Sequence, residues 1–330
     1  MAYLGVLGAT SWGVTLAGLL ERSGNRVVIL TRTIAEAEAV DARRGLERLP
    51  ELRLGPRVTI WAAGTGIRLD GVIVAVPAQA LRASVRASQL PRDLPLLSAA
   101  KGIELESGAR MSQVLESEGW ARERIAVLSG PNLAHEVARG LPAASVVASS
   151  SQETARVWQA ALSGPAFRVY TSADVTGVEL GGALKNVIAI AAGAAWGLEF
   201  GANTVASIMT RGLAEMTRLG VACGADAVTF QGLAGVGDLA ATCFSPLSRN
   251  RRFGELLARG RPPVEAQAEI GETVEGAATA PVALSLAQKL GVDLPITAQV
   301  ARVVAGEATI AEAMTGLLAR PLKGEAAWGR

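Results

Sequence analysis

The strongest constraint on the fold is a change of rhythm near Asp174. Before it, short apolar runs alternate with helix-like windows; after it, apolar residues recur at three- and four-residue spacing and convincing strand patterns stop. Strands are expected at Tyr3–Leu7, Val27–Leu30, Val58–Trp61, Val72–Val76, Leu96–Ser98, Ile125–Leu128, Ser145–Ala148 and Phe167–Tyr170. Helical windows such as Ile34–Arg44, Ala80–Ala87 and Thr154–Leu162 separate them. Several of the runs are apolar on both faces, as strands buried between helix layers in a parallel sheet must be. Further on, stripes such as Val300, Val303 and Val304 mark helices, with Pro262-Pro263 and Gly291–Pro295 as turns between them. The expected class is α/β: residues 1–178 form a doubly wound sheet domain and residues 179–330 an all-helical one. A chain of 330 residues is long enough for both cores.

The first strand runs into Gly8-Ala9-Thr10-Ser11-Trp12-Gly13, after which Val14, Ala17 and Leu20 show helical spacing. A glycine turn between a strand and a helix is the setting in which a dinucleotide fingerprint has physical meaning, and it makes the sheet domain Rossmann-type. Gly8 permits the tight turn, Gly13 lets helix and strand approach, and the helix start offers N–H donors to a pyrophosphate. Thr10 occupies the place of the usual middle glycine, so it either pushes the phosphates outward or binds one through its hydroxyl. After the second strand comes Thr31-Arg32-Thr33, with no strand-end carboxylate. Arg32 there favours a 2′-phosphate and hence NADP(H), while Glu36 keeps NAD(H) open and a solvated loop cation is the plain alternative.

Lys185 is the one charge between Leu180 and Leu198, and the other basic residues of the chain are almost all Arg: Lys101, Lys289 and Lys323 are its only fellow lysines. Burying a lone ammonium costs free energy unless the charge has a use, and a position that stays Lys suits a titratable amine. On a helix, Gly181, Gly182, Ala189 and Ala192 lie near it, a small-residue face that can pack closely and exclude water around a proton-exchanging group. A snorkelling lysine is the alternative, disfavoured by the mid-helix position. Gly232 to Asp238 is a glycine-rich turn ending in a carboxylate, which can orient the lysine or cap the following helix. Ser245 to Arg252 then offers Ser248, Arg249 and Asn250 at a helix start, a cradle for a phosphate dianion or else a solvated basic face.

Other classes are poorly served. A net charge of +2, with acids and bases interspersed, gives no case for nucleic acid. No uninterrupted apolar run approaches the roughly 20 residues of a membrane span, and the start, Met1 to Gly5, lacks the basic region of a signal peptide. Cys223 and Cys243 make neither a disulfide framework nor a metal quartet, and read as small buried hydrophobes of a cytoplasmic protein. Nothing around Cys243 marks an activated thiolate. Apolar faces on the C-terminal helices would serve equally as a homodimer surface or as core.

Taken together, Gly8 to Gly13, Val76-Pro77, Lys101-Gly102-Ile103-Glu104, Ser129-Gly130-Pro131, Leu184 to Val187, Arg211 to Glu215, Gly232 to Asp238, Ser245 to Arg252 and Val274 to Gly276 resemble the bacterial-type NAD(P)-dependent glycerol-3-phosphate dehydrogenases nearly end to end. The resemblance implies reversible reduction of dihydroxyacetone phosphate to sn-glycerol 3-phosphate, supplying glycerophospholipid synthesis. It implies Lys185 as general acid/base supported by Asp238, with Lys101, Gly130, Asn132, Ser248, Arg249 and Asn250 reaching the substrate. It also implies that Gly8, Ser11, Trp12, Gly13, Arg32, Lys101, Ala134, Arg249, Thr273 and Glu275 line the cofactor, with substrate bound between the domains. Thr10 replaces the family's glycine, Asn132 stands where Ser or Thr is usual, and Trp196 and Glu199 interrupt a stretch that commonly holds an acid and a glycine. Two other readings stay open: a related two-domain hydroxy-acid dehydrogenase and a catalytically silent NAD(P)-binding protein.

Overall fold

A computed structural model of the chain describes residues 1–64, 66–322 and 324, so Lys323 lies outside the described residues. The chain divides into two compact units, one of residues 1–101 and 110–178, the other of residues 102–109 and those from 179 onward. The stretch 102–109 thus departs from a single cut after residue 178. Ile103 is fully buried in the second unit's core, which explains why its segment belongs there.

The first unit is built on one sheet: β1 (Tyr3–Leu7), β2 (Arg26–Thr31), β3 (Val58–Ala62), β4 (Gly71–Val74), β5 (Leu96–Ser98), β6 (Ile125–Ser129), β7 (Ala143–Ser149) and β8 (Phe167–Ser172), in the order β3-β2-β1-β4-β5-β6-β7-β8. The order reverses between β1 and β4, the switch point at which doubly wound sheets open a ligand crevice. Helices Ser11–Arg22 and Gln152–Leu162 bury Leu16, Leu20, Trp158 and Leu162 against Val6, Ile29 and Ile73 of the sheet, forming the core.

The all-parallel expectation fails at one place. β6 and β7 are antiparallel, with Ser129 opposite Val146. A parallel return needs a helix long enough to carry the chain back along the strand, and residues 130–142 contain only the five-residue helix Ala134–Ala138. The chain therefore re-enters the sheet from the end at which it left. Alternating burial encodes which faces are covered, not which way a strand runs.

The second unit is helical among its described residues. Its longest members are Val175–Gly197, which begins in the first unit, and Gly201–Ala222. By length and composition Val175–Gly197 could cross a bilayer, yet 94% of its most apolar window is buried inside the protein. It is a core helix. Pro295 starts the helix Pro295–Val304, and Gly291, with φ of 67°, ends Glu275–Leu290, so the turn expected at 291–295 has its usual punctuation.

Candidate active site

Lys185 is 7% exposed in the middle of Val175–Gly197, and it is not a lone charge. Its Nζ donates to Asp238 Oδ1 at 2.6 Å and to Thr242 Oγ1 at 2.7 Å. Asp238 and Thr242 lie one turn apart on helix Asp238–Phe244, so the spacing of four puts carboxylate and hydroxyl on one face. The Thr242 hydroxyl in turn donates to the Asp238 carbonyl at 2.7 Å. An ammonium carries three N–H donors, and two are engaged among the described residues. The third remains for an oxygen of a bound molecule.

The glycine segment before Asp238 is a π-helical turn, Leu233–Gly237, running directly into that helix. Asp238 does not cap it: the cap position is Gly237 and the carboxylate faces the lysine. Close approach requires the glycines. A Cβ on Gly181 would stand 2.4 Å from Ala234 O, and one on Gly235 2.1 Å from Phe230 O, so a methyl at either position would separate the π turn from its support. Trp196, a departure from the family pattern, donates to Cys243 O at 3.1 Å and meets Phe244 edge-on. It braces the far end of the Asp238 helix.

Helix Arg249–Ala258 presses on the lysine helix through Gly254, where a Cβ would stand 2.0 Å from Ile190 O. Ser248 caps it by accepting from Arg251 N. Asn250 is buried and ties together the surroundings of the lysine: its Nδ2 donates to Asn186 Oδ1 at 2.9 Å, and its Oδ1 accepts from Gly276 N at 2.9 Å. Arg249 is the accessible member, 3.4 Å from Glu272. Thr273 is exposed beside it, and Glu275 opens the helix Glu275–Leu290.

At the switch point of the first unit, Gly8 takes φ of 110°, and a Cβ on Gly13 would stand 2.1 Å from Gly8 O. Both positions admit only glycine. The Thr10 hydroxyl accepts from Gly13 N at 3.0 Å, capping helix Ser11–Arg22, and donates its proton to Ala75 O at 2.7 Å. That proton binds the turn to the chain just after β4, so it is not offered to a phosphate as the sequence alone allowed. Ser11 accepts from Arg48 Nε at 3.0 Å, and Arg48 also donates to Ala9 O at 3.1 Å. Trp12 packs against Phe167, with ring centroids 6.4 Å apart. Arg32 is exposed, its backbone N–H held by Glu36 Oε2 at 3.0 Å, so the Glu36 carboxylate is engaged with the strand end. Ala134 starts the short helix packed on Ser11–Arg22, its carbonyl 3.5 Å from Thr15 Oγ1. A helix start reached through glycine-thin backbone fits a dinucleotide pyrophosphate.

Elsewhere in the same unit Lys101, Gly130 and Asn132 form one cluster: Lys101 Nζ donates to Gly130 O at 3.0 Å and to Asn132 Oδ1 at 2.8 Å. Thr242 and Arg48 were not singled out from the sequence. Thr242 is signalled only by its spacing of four from Asp238, and Arg48 lies in a stretch between β2 and β3 with no periodicity to mark it. Cys243 is buried, and desolvation pushes its thiol up to about 12, away from thiolate character.

Comparison with known proteins shows the family. Residues 3–155 match the N-terminal region, and residues 174–315 the C-terminal region, of NAD-dependent glycerol-3-phosphate dehydrogenase. The chain is 49% identical to glycerol-3-phosphate dehydrogenase [NAD(P)+] of Frankia casuarinae, covering 96% of each chain. It is 44% identical to the protein of the same name from Corynebacterium glutamicum, covering 98% of this chain and 100% of the relative. The crystal structure of glycerol-3-phosphate dehydrogenase from Coxiella burnetii superposes with a TM-score of 0.89 at 33% identity, covering 97% of this chain and 99% of that one. The chain belongs to the NAD-dependent glycerol-3-phosphate dehydrogenase family.

Proposed function

We propose that the protein catalyses the reversible NAD(P)H-dependent reduction of dihydroxyacetone phosphate to sn-glycerol 3-phosphate, with Lys185 as the general acid/base. The observation that carries the reading is the buried Lys185–Asp238–Thr242 constellation with one ammonium donor left over. A nicotinamide cofactor held by Gly8, Ser11, Trp12, Gly13, Arg32 and Ala134 would supply the hydride that the C2 carbonyl carbon receives. As the carbonyl π bond breaks and charge develops on oxygen, the Lys185 ammonium stabilises it and gives up a proton, so that C–H and O–H bonds replace C=O. In reverse, the neutral amine takes the proton back. Asp238 and Thr242 hold Nζ in place throughout and keep the ammonium neutralised in a dry site.

Phosphate binding falls to Arg249, whose exposed guanidinium is suited to a dianion, and to the start of its helix. Ser248 and Asn250 act by shaping that start, the former as cap and the latter by holding it to Asn186 and Gly276. Lys101 adds a second cation toward the substrate. Gly8, Ser11, Trp12, Gly13, Arg32 and Ala134, with Thr273 and Glu275, line the cofactor, and Arg32 favours NADP(H). In this reading the enzyme works in the cytoplasm and feeds glycerophospholipid synthesis.

The test is a spectrophotometric assay with dihydroxyacetone phosphate and NADPH or NADH in parallel. Oxidation of either cofactor is expected, faster with NADPH. Absence of oxidation with both, or a preference for 2-keto acids over dihydroxyacetone phosphate, would defeat the proposal.

A further inference from the structure

Reaction chemistry does not mark Ser145, yet it underlies the seat of Lys101. An ammonium only donates, so of the two ends of the Asn132 amide Lys101 can use only the oxygen, at 2.8 Å. That choice fixes the amide's orientation and turns Nδ2 toward Ser145 Oγ, to which it donates at 3.0 Å. Ser145 is completely buried on β7, where a hydroxyl is retained at a cost unless it is hydrogen-bonded.

The antiparallel pairing of β7 puts it there. Ser129 opposes Val146, so Gly130 meets Ser145. Gly130 takes φ of 140°, and a Cβ on it would stand 2.9 Å from Ser145 Cα and 3.2 Å from its Oγ. The Gly130 carbonyl is also an acceptor for Lys101, at 3.0 Å. These two acceptors of the lysine therefore bear on one residue: the backbone of Gly130 rests on Ser145, and the amide of Asn132 is anchored by it.

We propose that Ser145 is a positioning residue for the reaction, acting through Asn132 to hold Lys101 in place for the phosphorylated substrate. The inference rests on the reading that Lys101 contacts that substrate. The terminal torsion of an asparagine is soft, so an amide that loses its anchor rotates and its oxygen leaves the lysine. Ser145 thus governs substrate affinity more than the chemical step. The linkage depends on asparagine at position 132, because a serine or threonine there is too short to bridge Lys101 and Ser145.

Steady-state kinetics of the full chain test this with Ser145→Ala, Asn132→Ser, the double variant and Lys101→Met. Ser145→Ala removes a single oxygen and should raise KM for dihydroxyacetone phosphate roughly three- to tenfold, with kcat and the cofactor KM nearly unchanged. Asn132→Ser should raise the same KM, and adding Ser145→Ala to it should change nothing further. An unchanged KM in Ser145→Ala, or the same fold-increase in both backgrounds, overturns the proposal. If Lys101→Met raises KM strongly while Ser145→Ala is silent, this inference alone fails. If the parent chain is inert, or Lys101→Met leaves KM untouched, the reading of the substrate site fails and the role of Ser145 goes with it.

Discussion

Lys185 and Glu215 sit on the two longest helices among the described residues, both buried and both ionisable, and they are satisfied in opposite ways. Lys185 meets an opposite charge and a hydroxyl, and keeps one donor unspent. Glu215 meets the start of another helix: Ile296 N donates to its Oε1 at 2.5 Å, and Thr297 N and Thr297 Oγ1 donate to its Oε2 at 3.0 and 2.9 Å. Pro295 has no N–H, so the first orphan donors of that helix are the ones Glu215 covers. One buried group keeps a donor unfilled among the described residues, whereas the other is closed within the fold. Burial alone does not distinguish the two.

The sharpest way to break this contrast is Lys185→Met. Turnover should fall by about a thousandfold or more, because both the proton donor and the charge facing the developing oxyanion are gone. Cofactor affinity should hold. Stability should also drop, since Asp238 is left as a buried carboxylate without its cation. Adding Asp238→Asn should restore the melting temperature and leave turnover low. A Lys185→Met variant with most of its activity would remove the lysine from the chemistry.

Thr242→Val probes the same constellation more gently. The valine keeps the shape and removes the hydroxyl that accepts from Nζ at 2.7 Å. With Asp238 still in place, kcat should fall on the order of tenfold and the cofactor KM should not move, as expected for one lost hydrogen bond near the reacting atoms. Unaltered kcat would make the hydroxyl part of the helix alone, serving only its bond to the Asp238 carbonyl.

The sequence reveals these groups unequally. Strands such as Tyr3–Leu7 and Leu96–Ser98 are legible to the residue because an apolar run bounded by breakers has few other solutions. The antiparallel turn into β7 is not, because direction depends on the length of a connection whose short helix, Ala134–Ala138, leaves no periodic signal. Lys185 and Asp238 stand out by composition: a lone cation among small residues, and a carboxylate closing a glycine run. Thr242, Arg48 and Ser145 are ordinary residues in ordinary patterns. They matter through what lies beside them in space, across 57 residues for Thr242 and Lys185 and 37 for Arg48 and Ser11. Thr10 looks like a flaw in the nucleotide turn, yet its hydroxyl is the cap that holds the turn to the neighbouring strand.

Glu215→Gln tests the other half of the contrast, and its effect on turnover should be nil. Desolvation pushes the Glu215 carboxyl up to about 7, over the opposing pull of the Ile296 and Thr297 donors. The unfolded chain holds this group near 4.5, so between about 4.5 and 7 the folded state binds more protons than the unfolded one. Stability contributed by protonated Glu215 is therefore complete below the unfolded value and is lost as pH rises through about 7. Glutamine cannot ionise. Denaturant melts of the parent and of Glu215→Gln across this range should diverge, the parent losing on the order of 3 kcal/mol relative to the variant as pH rises, then running level above it. Parallel curves would mean that the helix-end donors outweigh desolvation and keep Glu215 ionised throughout. A fall in kcat with stability unchanged would make Glu215 part of the reaction and erase the distinction from Lys185.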